Sequence, residues 1–242
     1  MNISEIFLME HSNELCEFEK IKDKNIIQFI KEKGLNPTYF YKVSNKYHPF
    51  AYRNKTVYVE IINFTDEVWD MLDIKNRINY MEQKHKECIE NKDYSSLFMF
   101  IDKPFRFYWY KELFNDIPND DKYEIFTDIY ETSEYGFTSL GKEFVKEIFK
   151  YKKDKAELPV EDDVLTIYRG EGSLSTPYYN AYSWSLNYDT AKFFATRFDD
   201  SGIIYKANIK RDDVLEYLNN RNEEEILVYS DKLFNIEIVD YK

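Results

Sequence analysis

Three short stretches carry side chains that could do polar chemistry from a fixed backbone. EEEILVY, Glu223 to Tyr229, sets three carboxylates ahead of an apolar run. On a strand, alternation sends Glu223 and Glu225 to one face and Glu224 to the other, so two acids share a strand's mouth. Taken alone, the fragment is more simply a solvated charge run at a strand start. In LTIYRGEG a strand from Val164 to Tyr168 delivers Arg169 just before Gly170. A planar guanidinium there can grip a phosphate or carboxylate, and the glycine lets backbone come close to a ligand; a surface ion pair is the plainer use. In AYSWSLNYDTAKFFATRF, Ser183 and Ser185 share one strand face while Trp184 points the other way. An edge strand with two idle hydroxyls and a buried indole has the same pattern. The chain holds only three histidines, so Ser-His-Asp and Cys-His catalysis are poorly supported. Chemistry here must run on carboxylates, arginines and hydroxyls. His85 and Cys88 stand at helical i,i+3 spacing but fall short of the three or four ligands a zinc site needs, and no metal is expected.

The elements that must position these residues follow from period and punctuation. Residues 4 to 33 look helical, with Ile26, Ile27, Phe29 and Ile30 on the buried side and Gly34 and Pro37 as stop signals. Thr56 to Phe64 is β-branched and aromatic and reads as a strand, followed by a polar helix from about Thr65 to Asn91. SLFMFIDKPFRFYWYKELF predicts a helix pair broken at Pro104. Phe137, Leu140, Phe144, Val145 and Ile148 keep helical spacing, and DKAELPVEDD is a loop. Beyond it come short strands: VLTIYRG, SGIIYKANI, EEILVY and FNIEIV. Asn187 is a candidate N-cap for a helix with Ala191, Phe194, Ala195 and Phe198 on one face. A helix-rich first part and a strand-rich second part indicate α+β, not a doubly wound parallel sheet.

Bulk composition narrows the function classes. At 242 residues with 43% hydrophobic residues the chain can bury a sizeable core. A formal charge of -12 disfavours nonspecific nucleic-acid or anionic-membrane binding, because the whole-molecule field repels both. No apolar run approaches a membrane span, and MNISEIFLMEHSNE lacks a basic n-region. Cys16 and Cys88 stand in no paired motif, which fits a reducing compartment. The expectation is a soluble, cytoplasmic chain.

In order along the chain, an arginine after a strand (Arg169 in YRG), a Ser-x-Ser before an Ala/Phe-faced helix (Ser183 and Ser185 in SWS) and a Glu-x-Glu opening a strand (Glu223 and Glu225 in EEEILV) resemble the arginine-serine-glutamate class of mono-ADP-ribosyltransferases, in its bacterial or phage toxin-like form. Trp184 departs from the threonine usual at the middle of the family's serine motif. An SW(S/T) form is similar to bacterial and phage relatives.

The resemblance implies an ADP-ribosyltransferase-like fold. Residues 1–64 would be an N-terminal α/β segment of no assigned role and 65–242 the catalytic domain, with a helical lobe at 65–155 and an NAD-binding strand core at 160–242. It implies NAD as co-substrate, a macromolecular acceptor (protein arginine first, RNA or DNA as alternatives) and, for a toxin or phage-defence effector, an antitoxin or immunity protein as partner. Cleaving the nicotinamide bond builds an oxocarbenium-like charge on ribose, which Glu225 would stabilise while holding a ribose hydroxyl. By the same resemblance Arg169 would clamp the pyrophosphate, Gly170 and Ser185 would line the NAD site, and Ser183 would orient Glu225. Glu223 would select and deprotonate the acceptor. Glu224 is expected to be solvated or structural, and Tyr217 either exposed for target contact or buried in a short helix. NAD glycohydrolysis with the same residues, or a noncatalytic interaction protein on the same fold, are the competing readings.

Overall fold

A computed structural model describes residues 7–9, 14–16, 18–133, 136–197 and 201–241. The chain divides into two compact units, Met1–Leu140 and Gly141–Lys242, and its helices and antiparallel sheets make it α+β.

In the first unit, β1 (Phe7–Met9) and β2 (Glu14–Cys16) pair antiparallel. These strands correct the expectation of one helix over 4–33: among the described residues there, the helix, α1, spans Lys24–Glu32. Its start is set by Asp23, whose carboxylate accepts the Asn25 and Ile26 amides. A four-stranded antiparallel sheet follows, built from β3 (Glu19–Lys20), β4 (Phe40–Lys42), β5 (Phe50–Asn54) and β6 (Val57–Ile61) in sequential order. On β6, alternation buries Val57, Val59 and Ile61. The polar helix expected over 65–91 is two helices, α2 (Asp66–Met71) and α3 (Ile74–Glu90), separated where Asp73 turns left-handed at φ 47°. Trp69 of α2 and Ile74 and Ile78 of α3 join β6 in one core with Ile30, Phe40 and Tyr52. Each such side chain, fully buried, contributes about 1.5–3 kcal/mol.

The Pro104 break is present: α4 (Tyr94–Phe100) and α5 (Arg106–Leu113) flank a 3-10 turn at Lys103–Phe105. A further helix, α6 (Lys122–Thr132), was not anticipated. The compact units divide at Leu140 and Gly141, whereas the domain boundary was expected at residues 64 and 65. The reason is packing: helices after residue 64 share their core with the preceding strands.

In the second unit, α7 (Lys142–Phe149) begins only after Gly141 at φ 75°, so the amphipathic run from Phe137 is split, Phe137–Leu140 forming a 3-10 turn. One six-stranded antiparallel sheet carries the rest. Its strands are β7 (Val164–Glu171), β8 (Ser183–Ser185), β9 (Ile203–Lys210), β10 (Val214–Leu218), β11 (Glu225–Val228) and β12 (Phe234–Tyr241). Their spatial order is β10-β11-β8-β7-β9-β12. Leu165, Ile167, Trp184, Ala207, Ile209, Ile226 and Val228 form the core on one face. On the other, α8 (Tyr188–Thr196) lays Ala191 and Ala195 against Ile204 and Tyr168. Phe198, expected on this helix, lies outside the described residues. Tyr217 is on strand β10 opposite Ile226, not on a helix, and packs against the Trp184 core.

Candidate active site

The strands bearing the arginine, the serines and the glutamate are consecutive in the sheet: β7, β8, β11. Register aligns Glu225 with Ser185 and Leu227 with Ser183, and Ser185 with Tyr168 on the far side. Paired residues share a face, so Glu225, Ser183, Ser185 and Tyr168 rise on the α8 side, opposite Trp184 and Ile226.

Glu225 is the centre of the cluster. Its Oε1 accepts a hydrogen bond from Ser183 Oγ at 2.5 Å, and its Oε2 lies 3.5 Å from Arg221 Nη2. The carboxylate is only 8% exposed, against 43% for Arg221. A buried carboxylate must be paired and hydrogen-bonded to stay charged, and these two contacts meet that need. Glu223 Oε2 stands 3.0 Å from the same Arg221 nitrogen. Partial burial, helped by the nearby Glu225 charge, pushes the Glu223 carboxyl above its ordinary range, while Arg221 and Arg197 pull it down.

The route by which the two acids converge differs from the expected one. Strand β11 begins at Glu225, so simple alternation does not relate the pair. Instead the chain turns left-handed at Asn222 (φ 57°) and again at Glu224 (φ 46°). A glutamate in that region is strained by about 1 kcal/mol or more. Both backbone groups of Glu224 are tied: its N–H donates to Asn219 Oδ1 at 3.1 Å and its carbonyl accepts from Leu186 N at 3.0 Å. Glu224 therefore holds the turn that brings its neighbours together.

Three expected site residues do other work. Arg169 alternates with Tyr168 and so leaves β7 on the Ile167 face, opposite Glu225. Its guanidinium is spent on the protein: Nη1 donates to the Ser183 carbonyl (2.7 Å), Nη2 to the Thr176 carbonyl (2.6 Å), and Nε approaches Glu171 Oε1 (3.4 Å). Burial raises the Glu171 carboxyl, and Arg169 opposes that rise. Arg169 is thus a tie holding β8 and the preceding loop to β7. Gly170 serves a helix: a Cβ there would come within 1.8 Å of the Ala191 carbonyl oxygen and 2.5 Å of Ala195 N. Ser185 is a latch, its Oγ donating to the Glu223 carbonyl (2.7 Å) and accepting from Asn187 N (2.9 Å). Asn187 in turn caps α8 through the Asp189 and Thr190 amides.

Arg221 was missed by sequence reasoning. The available signal was RNEEE, one cation at i,i+2 and i,i+4 to two acids, but its meaning depends on a turn that no period reveals.

No family model matches the chain, and neither curated proteins nor solved structures give a significant match. Among the described residues, no group of three or more His, Cys, Asp or Glu stands ready for a metal ion, and no helix is long and apolar enough to cross a membrane.

Proposed function

We propose that this chain is an NAD-dependent mono-ADP-ribosyltransferase that modifies a guanidinium acceptor on a macromolecule. The observation that carries the reading is a nearly sealed carboxylate, Glu225, oriented by Ser183 across adjacent strands, with a second acid, Glu223, beside it at the open end. The consecutive order of the arginine, serine and glutamate strands supports an ADP-ribosyltransferase-like sheet.

NAD supplies a nicotinamide–ribose bond whose cleavage builds positive charge on the sugar. The residues present fit the reacting end of that molecule. Glu225 offers fixed negative charge in a water-poor setting, where it acts most strongly on charge that exists only in the transition state. Ser183 fixes the carboxylate's orientation. Glu223, made a better base by burial, takes a proton from the acceptor. The phosphate end has no clamp in Arg169, whose donors go to Ser183, Thr176 and Glu171. Arg169 acts as a positioning residue, setting Ser183 and through it Glu225.

The test is incubation of the purified chain with NAD labelled in its adenylate half and a cell lysate, with and without nuclease. Label retained on protein supports the proposal. Nuclease-sensitive label moves the acceptor to nucleic acid, free ADP-ribose alone indicates a glycohydrolase, and intact NAD returns the chain to the noncatalytic class.

A further inference from the structure

We propose that Arg221 is a self-modification site, accepting ADP-ribose from the chain's own reaction; the inference rests on the transferase reading. Arg221 Nη2 lies 3.0 Å from Glu223 Oε2 and 3.5 Å from Glu225 Oε2. A guanidinium acceptor must sit between these two groups, close to the acid that takes its proton and to the acid that steadies the sugar. The chain's own guanidinium already sits there.

Two features make this more than a surface ion pair. The partner carboxylate on Glu225 is 8% exposed while Arg221 is 43% exposed, so the arginine reaches in from solvent toward a buried acid. The loop that delivers it holds two left-handed residues: Asn222, whose N–H donates to the Asn219 carbonyl, and Glu224, pinned by Asn219 Oδ1 and Leu186 N. Strain of this kind persists only where surrounding bonds fix it, and here it fixes Arg221 against both acids.

The step balances. Arg221 Nη forms a bond to ribose C1′, the C1′–nicotinamide bond breaks with its electron pair going to the ring nitrogen, and Glu223 accepts the guanidinium proton. The products are ADP-ribosylated Arg221, neutral nicotinamide and one proton. Because nucleophile and carboxylates share one chain, the reaction is intramolecular and its fractional rate does not depend on protein concentration. Once modified, Arg221 occupies the acceptor position, so labelling stops at one group per chain.

The experiment uses the purified full chain with labelled NAD and no added acceptor. Label on the chain, modified peptides by mass spectrometry and nicotinamide released are read together at several protein dilutions. The expected result is one ADP-ribose mapped to Arg221 in the wild-type chain, a fractional rate unchanged on dilution, and loss of that label in Arg221→Lys. Nicotinamide release with an unlabelled chain, or with label elsewhere that survives Arg221→Lys, overturns the inference and leaves NAD cleavage standing. Absence of nicotinamide release from the wild type overturns both. If the lysine variant loses label and release together, the wild-type peptide map decides: label on Arg221 supports the inference and label elsewhere overturns it.

Discussion

Glu223 and Glu225 are two residues apart yet sit in different environments, and on the proposed transferase reading that difference separates their roles. Glu225 is nearly sealed and held by Ser183, whereas Glu223 is part-buried with its carboxyl raised above the ordinary range by burial and by Glu225. On the proposed transferase reading, transfer needs Glu223 unprotonated and should fall as pH drops through that raised range. In that reading nicotinamide release rests on Glu225. Glu223→Gln should therefore lose transfer to a small guanidinium acceptor, together with its acid limb, while keeping release; typical general-base losses are about 10²- to 10⁴-fold. Rates of both reactions across the acid range check this, and a parallel fall in the two would remove Glu223's separate role.

At the scale of elements, the cluster depends on how close α8 and β8 lie to β7. Gly170→Ala puts a methyl group 1.8 Å from the Ala191 carbonyl oxygen, a backbone atom that cannot swing aside. Overpacking of this sort costs typically 1–3 kcal/mol and here should reach about 3 kcal/mol or more, readable by urea denaturation; wild-type stability would mean α8 sits elsewhere. Arg169→Ala strands the Ser183 and Thr176 carbonyls, a loss of about 1–3 kcal/mol for each one left buried without a donor. It should lower turnover through Ser183 with little change in NAD affinity, whereas a pyrophosphate clamp would chiefly lose affinity. The sequence made much of this level legible. Alternation marked β7, β9, β11 and β12, and the cap at Asn187 marked the start of α8. What it could not give was which strand neighbours which. Arg169 looks equivalent to any strand-end arginine until the Tyr168–Ser185 pairing assigns it a face. Arg221 stayed hidden because two left-handed residues, not a period, carry it to the acids. Residues 4–33 misled because isolated apolar residues match a helical period as readily as two short strands.

Across the whole molecule, each compact unit carries its own core and its own test. In the first, His85 Nδ1 bonds Thr56 Oγ1 at 2.8 Å, and burial lowers the imidazole from 6.5 to about 4. With the folded value below the unfolded one, stability is full above 6.5 and lost as pH falls toward 4. The loss by pH 5 should be on the order of 1–2 kcal/mol after allowing for screening, and absent in His85→Gln. Denaturant curves for both proteins at two pH values decide it, and an equal acid slope would exclude His85 as its source. In the second unit, everything converges on Glu225. The most direct measurement is nicotinamide release from NAD by the intact chain and by Glu225→Ala, alongside the dissociation constant for NAD. The account predicts turnover lowered by about 10²- to 10³-fold, or roughly 3 to 4 kcal/mol, with binding nearly unchanged. Equal turnover in the two proteins, or none in the wild type, would contradict it.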